Sequence, residues 1–100
     1  MMSRMTGRIP YSIATSCLWS YRRSDLDLHR DRKLIITQVL NYGDWKALQW
    51  LYRIFPEREI RKAVEHPSRG LWLKQVLNFW CLMLNVHLPK QIFKKSVINL

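Results

Sequence analysis

The sequence predicts an all-α protein: a compact bundle of four to five helices behind a frayed N-terminal leader. Three observations predict it. Apolar residues recur at three- and four-residue spacings through most of the chain. Asp, Pro and Gly punctuate those stretches where helices start and stop. The composition, 48% hydrophobic and 12% aromatic in 100 residues, supplies enough apolar surface for one core. The expected organisation is a flexible leader over residues 1–9 and a single helical domain over residues 10–100.

Residues 1–9 show no period. Across residues 10–19, Tyr11, Ile13, Ala14, Leu18 and Trp19 offer an apolar face to a short helix. Ser24, Asp25 and Asp27 carry oxygens that cap a helix start, and the acids suit the positive end of a helix dipole. A helix is predicted over residues 28–42, with Ile35, Val39 and Tyr42 in one stripe that Ile36 and Leu40 widen. Gly43 ends it as a C-terminal cap.

Asp44 caps the next helix, in which Leu48, Leu51, Tyr52 and Phe55 share a face beside Trp45. Pro56 then opens a short, half-exposed helix over residues 56–65, with Glu57 and Glu59 early and Ile60, Ala63 and Val64 inward. Residues 66–70 read as a loop, because the residue before Pro67 avoids helical geometry and Gly70 allows a restart. The last long helix, over residues 71–86, is the most apolar. Leu73, Val76, Leu77, Trp80 and Leu84 occupy one face, Trp72, Phe79 and Met83 another, and Lys74, Asn78 and Asn85 a narrow polar stripe. It reads first as the central core helix and otherwise as a surface for a partner. After Pro89 come a basic segment over residues 90–96 and an apolar tail.

Seventeen Lys and Arg against seven Asp and Glu give a net charge of +10. Residues 1–24 and 67–100 contain no acid, so the excess gathers toward the two ends. Such a balance suits nucleic acid, an anionic membrane face or an acidic protein partner. Cys17 and Cys81 are too sparse for a disulfide framework, which favours a reducing, cytoplasmic setting. Lys74, Gln75, Asn78, Asn85 and His87 interrupt the apolar run over residues 71–88, so no membrane span is expected. Pro10, Ser12, Thr15 and Ser16 likewise break any signal-peptide centre.

No constellation calls for catalysis, so no catalytic residue, metal or cofactor is expected. Cys17, His29, His66, Cys81 and His87 lack the paired spacing of a metal site. Cys81 with His87 could pair a nucleophile with a base, but a thiol within an apolar helix is normally inert packing. Asp25, Asp27 and Asp31 read as helix-start residues, and three glycines form no phosphate loop.

Two binding surfaces compete. Trp72, Phe79 and Met83 form the expected partner-binding face, for another protein or a second copy in a homodimer. Arg22 and Arg23 beside Trp19 and Tyr21, and Lys90, Lys94 and Lys95 beside Phe93, mix cations with aromatic rings as nucleic-acid surfaces do. Solubility explains the same charges. The helices over residues 44–54 and 57–66 flank a tight turn as in a helix-turn-helix unit. However, Glu57, Glu59 and Glu65 would oppose phosphates, and a solvated face with pairs such as Glu57 and Arg61 accounts for them.

The strings Cys17-Leu18-Trp19-Ser20-Tyr21, Leu26-Asp27-Leu28, LIITQVLNYG at 34–43, Trp50-Leu51, Glu59-Ile60, Arg69-Gly70-Leu71-Trp72 and Leu77-Asn78-Phe79-Trp80 carry a resemblance. Over residues 10–88 they resemble a family of small bacterial helical proteins of unknown function. Its members are often encoded beside abortive-infection nucleotidyltransferase-like toxins. The resemblance implies an antitoxin or accessory role and no catalytic residue. Among those positions Asn41, Arg69 and Asn78 are the ones polar enough to suggest a site, and this chain departs from the family in stronger positive charge and a longer basic tail. The expected function is a non-enzymatic binding module, an antitoxin-like or regulatory partner of a neighbouring protein; the alternative is a nucleic-acid-binding protein acting through its basic ends.

Overall fold

The computed structural model describes residues 9–22 and 25–98. Among the described residues it contains six helices and no strand: α1 (Tyr11–Cys17), α2 (Arg32–Tyr42), α3 (Trp45–Ile54), α4 (Glu57–Glu65), α5 (Lys74–Met83) and α6 (Lys90–Ser96). The fold is all-α, as predicted, and the sixth helix is the basic segment after Pro89. Of the expected leader only Ile9 is described, and it is buried.

The central helix is α2, not the late apolar one. Residues 35–41 are buried without a break, because α1, α3, α4 and α5 all pack around it. Burying each of Ile35, Ile36 and Val39 contributes about 1.5–3 kcal/mol. Three polar side chains share this interior, and each finds a backbone partner, as burial requires. Thr37 Oγ1 donates to Lys33 O at 2.7 Å, Gln38 Nε2 to Cys17 O at 3.3 Å, and Asn41 Nδ2 to Leu71 O at 2.9 Å.

The start of α2 lies four residues later than predicted. Asp27 does cap, but it caps a separate turn: its Oδ1 accepts from His29 N and Arg30 N at 2.8 and 2.7 Å. Those bonds, Arg30 first, hold the Asp27 carboxyl below its ordinary range. Of the other proposed caps, Ser24 lies outside the described residues. At the far end, Gly43 is extended (φ −77°, ψ 151°) and not a left-handed cap. Its requirement is space: a Cβ there would lie 2.6 Å from Val39 O and 2.9 Å from Ala47 Cβ, where α3 begins. Asp44 caps α3 as expected, accepting from Ala47 N at 2.9 Å. The inward face of α3 is Ala47, Trp50 and Leu51, whereas Tyr52 turns outward.

The C-terminal third closes on itself. Residues 71–73 are not helical, so α5 starts three residues later than predicted. Trp72 instead forms a parallel bridge with Val97. Trp72 N donates to Ser96 O, Ile98 N to Trp72 O and Gly70 N to Lys95 O, at 3.0, 2.8 and 2.9 Å. Gly70 reaches this clip through φ +71°, a conformation costly for any residue with a Cβ. Asn41 fastens the clip to α2, since its Oδ1 also accepts from Leu73 N at 3.1 Å. Beyond α5, Asn85 takes φ 54° while Val86 N bonds to Cys81 O at 2.8 Å, the left-handed helix ending that Asn tolerates. Among the described residues no helix is long and apolar enough to cross a membrane.

Candidate functional site

Because α5 starts at Lys74, its inward side is reduced to Leu77 and Trp80. Phe79, Leu82 and Met83, at i, i+3 and i+4, are turned outward and are 51, 75 and 62% exposed. Isolated exposed apolar residues are ordinary, but three adjoining on one helix face form a patch suited to contact. The Phe79 ring meets the edge of Trp80 at 5.3 Å, which fixes the base of the ridge. Cations without acids surround it in sequence, and Lys74, Lys90, Lys94 and Lys95 are exposed.

The expected partner face is therefore split. Phe79 and Met83 are brought together, but Trp72 is fully buried in the clip, with its Nε1 lacking a hydrogen-bond partner among the described residues. Leu82 takes its place, and its spacing from Phe79 and Met83 was the available signal.

The basic clusters occupy different elements. Arg22 is exposed just after α1, Arg23 lies outside the described residues, and Lys90, Lys94 and Lys95 ride on α6. Phe93, in contrast, packs partly against the core. Beside Arg22 in the chain, Tyr11, Ala14, Thr15, Trp19 and Tyr21 line a shallow cavity of about 290 Å³. Trp19 is 57% exposed and rests edge-on against Tyr42 at 4.8 Å.

On α4 the charges are largely paired. Glu59 accepts Arg32 Nε on one oxygen at 3.2 Å and faces Lys62 Nζ with the other at 3.9 Å. Arg61 pairs with Glu65 at 3.0 Å rather than with Glu57. Its guanidinium also donates to Leu84 O and Asn85 O, tying α4 to the end of α5. Between α2 and α4 lies a cleft of about 280 Å³ lined by Arg30, Arg32, Lys33, Ile36, Glu59, Lys62, Ala63 and His66.

The structure brings Cys81 and His87 to one cavity of about 270 Å³, beside Asn78 and Asn85. Burial pushes the Cys81 thiol above its ordinary pKa, away from the thiolate that acts as a nucleophile. The left-handed geometry of Asn85 belongs to the helix ending described above. Cys17 is buried and its thiol is likewise raised, mainly by desolvation. Among the described residues no three His, Cys, Asp or Glu side chains gather as metal ligands.

No curated protein and no solved structure matches the chain. A model for a family of unknown function (DUF6922) matches residues 13–64. That span runs from the third residue of α1 to the last but one of α4, and the strings at 69–72 and 77–80 lie beyond it.

Proposed function

We propose, for a chain that belongs to the DUF6922 family of unknown function, a role as a non-enzymatic binding module that docks a protein partner through the α5 ridge. One observation carries this reading: Phe79, Leu82 and Met83 are exposed side by side on a helix whose opposite side is already packed. An apolar ridge of this kind suits a groove in another protein, with the ridge residues as anchors. The acid-free surroundings, with Lys74, Lys90, Lys94 and Lys95 exposed, suit an acidic rim on that groove. The partner fitting the resemblance is the product of an adjacent bacterial gene, a nucleotidyltransferase-like toxin, with this chain as its antitoxin-like or regulatory companion.

Co-expression with the adjacent gene product tests the reading. The two chains should co-elute at low salt, and Phe79→Ser with Met83→Ser should separate them while leaving this chain folded. Clean separation of two folded wild-type proteins would refute it. If the ridge instead pairs two copies, light scattering will give twice the 12.1 kDa chain mass.

A second reading, nucleic-acid binding, draws on the exposed aromatic shelf of Trp19 and Tyr21 beside Arg22, which suits stacking of an unpaired base. Under it, oligonucleotide binding weakens steeply with salt, and replacing Arg22, Lys90, Lys94 and Lys95 by Ala flattens that slope. Absence of binding at low salt removes it.

A further inference from the structure

On α4, Glu59, Lys62 and Ala63 follow one another at i, i+3 and i+4 on one helical face, and His66, the residue that closes the helix, lines the same cleft. Across the cleft, Arg32, Lys33 and Ile36 come from the first turns of α2, and Arg30 from the turn that precedes it. Ile36 and Ala63, 1 and 3% exposed, make an apolar floor. The rim above it holds four permanent cations and a single carboxylate.

That carboxylate organises the rim and offsets only part of its charge. Glu59 spends one oxygen on Arg32 and turns the other toward Lys62, so one acid orients two cations from different helices. Arg32 is held from behind as well, its Nη1 donating to His29 O at 2.7 Å. Arg30 is braced by Asp31 at 2.7 Å and by Asp25 O at 2.8 Å. Lys33 enters no ion pair among the described residues. Cations held before the ligand arrives lose little freedom on binding, which raises affinity for an anion.

We infer that this cleft is a binding site for a phosphate group. With Glu59 and the Asp31 that braces Arg30 both counted, Arg30, Arg32, Lys33 and Lys62 leave two positive charges over, which a phosphate dianion matches and a lone carboxylate does not. The volume, about 280 Å³, leaves room for a phosphate together with part of the molecule that carries it. The cleft lies apart from the α5 ridge, and its occupancy is independent of the docking reading.

The test is a titration of the ¹⁵N-labelled full chain, followed by NMR at constant ionic strength, with inorganic phosphate and, separately, acetate. Phosphate is expected to shift amides of residues 30–36 and 59–66 saturably, and acetate far less. Lys33→Ala with Lys62→Ala should weaken phosphate binding by about tenfold or more, whereas Lys90→Ala with Lys94→Ala, an equal loss of charge elsewhere, should leave it unchanged. The same spectra report folding. Should the cleft double variant unfold, Lys33→Gln alone takes its place, with a loss of about threefold expected. A mononucleotide binding as well as phosphate would assign the group to a nucleotide; its exclusion beside phosphate binding would assign free phosphate or a smaller ester. The proposal is overturned by absence of saturable shifts, by an equal response to acetate, or by equal weakening in the α6 control.

Discussion

Helices α4 and α5 have nearly the same length, pack against each other and against α2, and yet finish their outer faces in opposite ways. On α4 the outward side chains are charged, and Glu59, Arg61, Lys62 and Glu65 find partners within the chain. On α5 the outward side chains include three adjoining apolar ones beside Lys74, Gln75 and Asn78, and among the described residues nothing covers Phe79, Leu82 and Met83. The more hydrophobic helix is thus the less buried one. Hydrophobicity alone does not place a helix in the centre; the number of neighbours does, and α2 has four.

Substitutions at four positions test this contrast, in descending order of expected effect. Asn41→Leu removes the side chain that holds both Leu71 O and Leu73 N. A loss of about 2–4 kcal/mol is expected in urea denaturation, with faster amide exchange across residues 72–98 than across α2. Uniform exchange would show that α5 and α2 unfold together. Gly43→Ala forces a Cβ against Val39 O and should cost about 1–3 kcal/mol by the same assay. An unchanged midpoint would mean that the α2–α3 corner yields freely.

Arg61→Ala cuts the tie from α4 to Leu84 O and Asn85 O and should cost about 1 kcal/mol. Arg61→Lys should restore only part of it, because the guanidinium reaches two carbonyls at once. Finally, Met83→Ser should change stability by less than about 0.5 kcal/mol, since the side chain is mostly in solvent. A larger loss would place Met83 in the core and weaken the contrast between the two helices.

The sequence was most legible where structure is local. The stripe Ile35, Ile36, Val39 and Leu40 marks α2 by its period, and Asp44 marks the start of α3 by its capping oxygen. It was least legible where residues meet across the chain. Trp72 read as helical because its neighbours are apolar, but its place is set by Val97, twenty-five positions later, and by Asn41, thirty-one positions earlier. Local periodicity carries no trace of either contact. The role of Gly43 depends on how closely α3 approaches α2, which again no single segment encodes. The phosphate cleft was visible only in part. Its α4 face read as solvated charge, and the facing cations on α2 give that face a different meaning.

The clip between residues 70–72 and 95–98 has a consequence for how such a protein can change. It sets the entry and exit of the C-terminal lobe side by side, outside the span matched by the family model. A lobe with adjoining ends behaves as a cassette. Leu77 and Trp80 lie in the shared core and Arg61 ties α4 to the end of α5, so a replacement pair would have to keep those inward contacts, and the ridge it displays is the part left free to be exchanged.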